Sequence, residues 1–469
     1  MAHRYAHYVA KDAIMKLTFL GATGTVTGSK YLLNCAGQKV LIDCGLFQGL
    51  KELRLRNWDP LPINPAQVDA IVLTHAHLDH SGYIPKLVKD GFKGPIYCSE
   101  ATYDLCKILL PDSGHIQEED ADFANRHGYS KHKPALALYT KQDALDCLNH
   151  FKPVSFGQPH ALDDETHYTL HRAGHILGAA SIRVQDGSGT SILFSGDIGR
   201  TNDPVMKTPA QIQDADYLVV ESTYGNRRHD VSDPAADLQR IILETLARGG
   251  TLVIPAFAVG RCQTLLYYIH KLKSENRIPT TLPVYLDSPM AIDVSTLMSK
   301  HTNDHRLPPH LCKEVCNTAI FTRTVEESKA IDNGDISLPK IIISASGMAT
   351  GGRVLHHLTR FVGDPRSTVL LAGFQAAGTR GDRLARGESE IKIHGQLWPV
   401  RARIERMDNL SAHADYEEML DWMSHISNRP RKVFVTHGET EAAQSMRQKI
   451  EERFGWNAVV PHYQQTEEM

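Results

Sequence analysis

The chain has 469 residues, 42% hydrophobic and 22% charged, and its 51 Lys+Arg against 54 Asp+Glu leave a net charge of −3. This balance excludes a disordered or collagen-like chain, and the length gives room for two or three units that each bury a core. The longest apolar stretches, such as 251–259, are about half of a membrane span, and residues 1–14 lack the apolar core of a secretory signal, so the reading is a cytoplasmic protein with no membrane partner.

Met15 opens the first strand-like run, and the fourteen residues before it read as an extension that contributes little to the fold. From Lys16 onward, β-rich runs (KLTFLG, KYLLNCA, KVLIDCG, AIVLTH) are followed by the helix-like SGYIPKLVKDG, by PIYCS and by a second helical stretch. Further runs are ASIRV, SILFSGD, YLVVEST, TLVIP, PVYLD, KIIIS, TVLLAG and VFVTHG. Several are nearly all apolar, which predicts strands covered on both faces and an α/β fold.

GATGTVTGS, at 21–29, looks like a dinucleotide-binding glycine loop, but the residues after it alternate as a hairpin instead of opening a helix. It is read as a turn near the rim of the site. The eight cysteines, at 35, 44, 98, 106, 147, 262, 312 and 316, lack paired CxxC hooks and read as free buried thiols. Residues 226–400 hold 21 basic and 17 acidic residues and the flanks lean acidic, the direction expected if the middle holds a polyanion over carboxylates in the flanks.

The strongest signal is Thr74-His75-Ala76-His77-Leu78-Asp79-His80, between an apolar strand and a helical segment. Residues two apart on a strand exit project to one side, so His75 and His77 can grip one ion while the turn into the helix swings Asp79 and His80 toward a second. More ligands stand just after other β-like runs: His175 in GHILG, Asp197 in FSGD as a bridging carboxylate, and His437 in VTHGE. Asp43, in LIDCG, fits behind the ligands, orienting one of them by hydrogen bonding.

In this order, Asp43, HxHxDH, His175 and Asp197 resemble the motifs of the metallo-β-lactamase superfamily, which implies a four-layer αββα sandwich with a metal site at one edge. Glu221 in VVESTYG, His413 in LSAHADY and His437 resemble the three extra motifs of the β-CASP nucleases, among them the cleavage and polyadenylation specificity factor-like ribonucleases. That family carries an α/β cassette between the first two of these motifs. The expected organisation is a metallo-β-lactamase domain in two parts, 15–225 and 401–469, around a β-CASP insert at 226–400. The last motif tends to be histidine in RNA-acting members, so His437 favours RNA.

The resemblance implies a zinc-dependent ribonuclease of RNA processing or decay. It would hydrolyse phosphodiesters of single-stranded RNA through a hydroxide bridging two metals, leaving 3′-hydroxyl and 5′-phosphate ends. His75, His77 and His175 would hold one Zn2+, and Asp79, His80 and His437 the other, with Asp197 bridging; Mn2+ or Fe could fill the same shell. His413, steadied by Glu221, would be the general acid, and Asp79 and Asp197 join them as catalytic residues. Ile343 to Arg353 resembles the family's phosphate loop, which makes Ser344, Ser346, Gly347, Gly351, Gly352 and Arg353 phosphate-binding candidates together with Ser411. Arg261 and Arg380 are further basic candidates. Two other classes compete: a hydrolase of small esters, thioesters or lactams on the same metals, and an RNA-binding scaffold with a structural metal. Endonuclease and 5′-exonuclease would share this ligand set, and a homodimer is among the assemblies the sequence allows.

Overall fold

The apolar runs outside the middle of the chain build two seven-stranded sheets, in a computed structural model that describes residues 15–128, 132–334 and 338–469. The extension expected at 1–14 lies outside the described residues. The first sheet runs Thr466–Glu468, Lys16–Phe19, Tyr31–Cys35, Gln38–Ile42, Ala70–Val72, Ile96–Ser99, Phe151–Val154. The second runs Ala458–Val459, Lys432–Val435, Tyr217–Val220, Ser191–Phe194, Ala180–Gln185, His167–Arg172, Pro159–Ala161.

Side-chain alternation explains the layers. Ile192 and Phe194 pack between the two sheets with Phe19, Tyr31, Val40 and Ile42, whereas Leu193 belongs to the core on the other side of its strand. Phe434 divides from Val433 and Val435 in the same way. The long helix Glu100–His127 covers the first sheet and Thr440–Phe454 the second, which completes the αββα sandwich.

A third sheet, of six parallel strands, runs Ile320–Phe321, Val284–Asp287, Lys340–Ser344, Thr251–Pro255, Thr368–Leu371, Arg403–Arg406. Its last strand lies just past position 400. Helices Pro234–Ala247 and Arg261–Ser274 pack on one face, and Val354–Phe361 on the other. The loop after Thr251–Pro255 reaches the sandwich: Phe257 stands 6.4 Å from the His77 ring, and a Cβ at Gly260 would lie 3.0 Å from Ile176.

Residues 21–29 make the turn between the first two strands and open no helix, which disposes of the dinucleotide loop. The Ala22 carbonyl accepts from the His437 amide at 2.7 Å, at the rim of the site. The eight cysteines are free, seven of them buried. Among the described residues no helix is long and apolar enough to cross a membrane.

Candidate active site

Five parallel strand ends meet at one edge of the sandwich. Gln38–Ile42 leads into Asp43, Ala70–Val72 into His75, Ser191–Phe194 into Asp197, Tyr217–Val220 into Glu221 and Lys432–Val435 into His437. Two of these residues hold left-handed backbone, Asp43 at φ 60° and His437 at φ 49°. Non-glycine residues adopt it at a cost of roughly 1–3 kcal/mol, tolerated where the surroundings over-determine a functional geometry. Gly196 serves the same end: at φ 59°, with Ala180 O 2.7 Å from where its Cβ would stand, only glycine lets the chain turn Asp197 inward.

The ligand atoms fall into two groups, His75, His77, His175 and Asp197, and Asp79, His80 and His437. In the first, His77 Nδ1 lies 3.2 Å from both His75 Nε2 and His175 Nε2, and Asp197 Oδ2 lies 3.4 and 3.6 Å from those two nitrogens. In the second, His80 Nε2 is 3.1 Å from His437 Nε2, which is 3.4 Å from Asp79 Oδ2. Asp197 Oδ1 lies 3.3 Å from His80 Nε2, so this carboxylate faces both groups. Tetrahedral ligands about 2.0–2.1 Å from a zinc ion stand about 3.3 Å apart, which matches these spacings.

The outer hydrogen bonds decide which ring nitrogens carry protons. The Thr74 hydroxyl donates to Asp43, so His75 Nδ1 must donate to Thr74 (3.1 Å) and its Nε2 presents a lone pair. His175 Nδ1 donates to the Ala412 carbonyl at 3.3 Å, with the same result. The Thr223 hydroxyl donates to Glu221, so His437 Nδ1 donates to Thr223 at 3.1 Å. His80 Nδ1 donates to Asp43 Oδ2 at 2.7 Å. Were both rings neutral, His80 Nε2 and His437 Nε2 would aim lone pairs at each other, so this pair holds either a shared proton or a cation between them. Nitrogen and oxygen donors without cysteine suit zinc-class ions. His77 departs from the pattern, since its buried Nε2 has no partner.

Charge follows the same plan. Burial, and then the neighbouring His80, hold His75 well below its usual range, and burial and His413 do so for His175, leaving both neutral as ligands must be. His80 is the opposite case: burial opposes its protonation, but Asp197, Asp43 and Asp79 outweigh it and raise its pKa well above normal, so an ion bound there would take the place of the Nε2 proton. Asp197 is also buried, and the surrounding histidines, His437 and His80 foremost, hold its carboxyl far below the usual range.

His413 Nδ1 lies 3.0 Å from Glu221 Oε2 and 3.9 Å from Asp197 Oδ2. Burial works against its proton, but Glu221 and then Asp197 raise the pKa to about 9. Glu221 is held by three groups: Ile198 N–H donates to Oε1 at 2.6 Å, and Thr223 and His413 donate to Oε2. The side chains of Asp79 and His413 are 19% and 18% exposed and His77 is half-buried, whereas those of His75, His80, His175, Asp197 and His437 are at most 4%, so the site opens to solvent past Asp79, His413 and His77.

The expected phosphate loop is divided. Ser346 accepts from the Thr350 amide at 3.0 Å, Gly351 has open space around it, and Gly347 packs on Phe257. Ser344 and Arg353 turn inward: the Ser344 hydroxyl is fully buried and donates to the Asp287 carbonyl at 2.8 Å, and Arg353 donates to Asp287 Oδ1 (2.6 Å) and to the Thr322 and Arg323 carbonyls. Arg380 likewise holds the Ala349, Thr350 and Lys392 carbonyls. These contacts tie the side chains to the loop's own carbonyls and to Asp287. Ser411 Oγ accepts from the His413 amide at 3.2 Å.

Sequence reasoning missed Thr74 and Thr223, whose signal was their place beside motif residues, and His229, which had none. His229 Nε2 donates to the His413 carbonyl at 2.8 Å and so fixes that loop.

Comparisons with known proteins agree with this architecture. Residues 24–223 match the Metallo-beta-lactamase superfamily, 262–384 the Beta-Casp domain, and 398–461 the Zn-dependent metallo-hydrolase RNA specificity domain. The chain is 34% identical to Ribonuclease TTHA0252 of Thermus thermophilus over 91% of this chain and 94% of that one. It is 31% identical to Transcription termination factor FttA of Methanosarcina mazei over 94% of this chain and 69% of the relative. A crystal structure of a protein of unknown function from Enterococcus faecalis V583 shares the fold alone, with a TM-score of 0.54 at 14% identity over 97% of this chain and 100% of that one. Sandwich, cassette and relatives together establish that the chain belongs to the β-CASP ribonuclease family of the metallo-β-lactamase superfamily.

Proposed function

We propose that the chain is a zinc-dependent ribonuclease that hydrolyses phosphodiesters of single-stranded RNA in the cytoplasm and leaves 3′-hydroxyl and 5′-phosphate ends. The observation that carries this reading is the His413–Glu221 pair, 3.0 Å apart, set beside the two ligand groups with His413 partly open to solvent. His75, His77 and His175 would hold one ion, Asp79, His80 and His437 the other, and Asp197 would face both. When bound, such ions activate water near neutral pH and offset the charge growing on phosphoryl oxygens.

The chain's own residues supply the rest. Glu221 receives the Nδ1 proton of His413, which fixes the ring and leaves Nε2 as the atom that hands a proton to the departing 3′-oxygen. A raised pKa keeps that proton in place until the leaving group needs it. Asp43 and Thr74 orient His80 and His75, so the ligand set is ordered before substrate arrives. Phe257 and Gly260, from the cassette, crowd the His77 and His175 side of the site. A strand must pass between sandwich and cassette, which suits one chain of nucleotides and not a duplex. The relatives named as a ribonuclease and as a termination factor support RNA processing, decay or termination as the setting.

End-group mapping of the products tests the chemistry. Hydrolysis with 3′-oxygen departure gives a 3′-hydroxyl that accepts nucleotides directly and a 5′-phosphate; 2′,3′-cyclic phosphate ends would contradict it.

A further inference from the structure

Of the three cassette arginines singled out from the sequence, Arg353 and Arg380 are consumed by backbone carbonyls and by Asp287. Arg261 is not. It opens the helix Arg261–Ser274 and is only 7% exposed, yet its enclosed Nε has no hydrogen-bond partner. Among the described residues no carboxylate pairs with its guanidinium. Asp203 is near enough to act on its charge, but Asp203 Oδ1 is occupied by the Val205 and Met206 amides, both at 2.7 Å. Gly373 lies against the guanidinium: a Cβ there would stand 3.5 Å from Nη2, in ordinary van der Waals contact.

A second buried donor, only loosely held, belongs to the same neighbourhood. Tyr224 is 2% exposed, its hydroxyl makes no well-formed hydrogen bond although Ser411 is near enough to act on its proton, and its ring centre lies 6.3 Å from that of His413. Arg227 lies over the Tyr224 and Phe374 rings at 5.5 and 5.9 Å, adding a second positive charge. A guanidinium stays protonated when buried, so an unpaired one is costly to fold around. The ligand that relieves it is an anion with two oxygens to meet the planar fork, and a phosphodiester has them.

We propose that the Arg261 guanidinium and the Tyr224 hydroxyl form a subsite for one RNA phosphate, the neighbour of the scissile phosphate on the side of the leaving 3′-oxygen. The inference rests on the ribonuclease reading, which puts the leaving oxygen at His413.

The test uses the full-length, metal-loaded protein and a single-stranded oligoribonucleotide. Arg261→Gln should weaken binding about tenfold or more and flatten the salt dependence by about one ion, with metal content unchanged. Arg261→Lys, which keeps the charge but loses the fork, should fall between. A methylphosphonate at the linkage immediately 5′ of the cut should weaken the parent to a similar degree and leave Arg261→Gln almost unaffected. Because the cation is unpaired without RNA, the ligand-free melting temperature of Arg261→Gln should be equal to or above that of the parent.

A parent that cuts RNA while both variants bind like it would overturn this inference alone. So would a methylphosphonate penalty that persists in Arg261→Gln, or a ligand-free melting temperature lowered by several degrees in both variants, which would mark a structural arginine. A parent that neither binds nor cuts RNA would overturn the ribonuclease reading and this inference with it.

Discussion

His413 and Glu221 are 192 residues apart in the chain, and Nδ1 of one lies 3.0 Å from Oε2 of the other. The carboxylate is pinned by the Ile198 amide and the Thr223 hydroxyl, so the imidazole is aimed by a fixed partner. His413→Ala should therefore lower RNA cleavage by roughly 10²- to 10⁴-fold while metal content stays at the parent's level. Glu221→Gln keeps the shape and removes the charge, and should cost less. Single-turnover cleavage and elemental analysis on the same preparations check both, and metal loss in His413→Ala would show that this ring is a ligand.

The two ligand groups predict close to two zinc-class ions per chain. His437→Ala should lose about one ion, because it leaves Asp79 and His80 with only the shared Asp197. His77→Ala should lower both metal content and cleavage. Elemental analysis after purification without chelator reads each variant, and one ion or none in the parent would contradict the two-group site.

A buried network steadies the cassette side of the cleft. His357 is fully buried between Asp287 (2.8 Å) and Asp332 (2.7 Å). Burial disfavours its proton, but these carboxylates raise its pKa from 6.5 to about 9. The folded-state pKa is the higher one, so this stabilisation is complete below about pH 6.5 and is lost as the pH rises to about 9. It amounts to on the order of 3 kcal/mol. His357→Gln should lower the melting temperature at pH 6 and narrow the gap to the parent at pH 9, a comparison that thermal melts at the two pH values make directly.

Arg353→Ala removes the guanidinium from Asp287, a buried carboxylate that keeps His357 and Ser328 as partners, and should destabilise the cassette by on the order of 2 kcal/mol with metal content unchanged. Denaturant unfolding measures it. A variant as stable as the parent that binds RNA poorly would return Arg353 to the role of phosphate ligand.

Much of the fold was legible because the strands are apolar on both faces: YLVV and SILF read as strands covered on both sides, and they lie inside the second sheet. Several candidate ligands were legible for a different reason: His75, Asp197 and His437 stand in the loops just after such strands. What escaped was whatever depends on distant pairing. Arg353 and Arg380 look like free cations at loop and helix starts, and only the folded chain brings Asp287 and the loop carbonyls to them. His229 sits in a polar stretch with no period, and its role comes from a carbonyl at position 413. The edge of the third sheet fell past 400 because RIER is half polar and pairs on one side only, with Thr368–Leu371.

The most direct test of the central claim is incubation of the purified protein with 5′-labelled single-stranded RNA, with and without chelator, followed by return of zinc. The account predicts a product ladder that chelation abolishes and zinc restores for the parent, and from His413→Ala a zinc-dependent ladder weaker by at least about 10²-fold although it carries the same two ions. Cleavage that survives chelation, or full activity in His413→Ala, would contradict it.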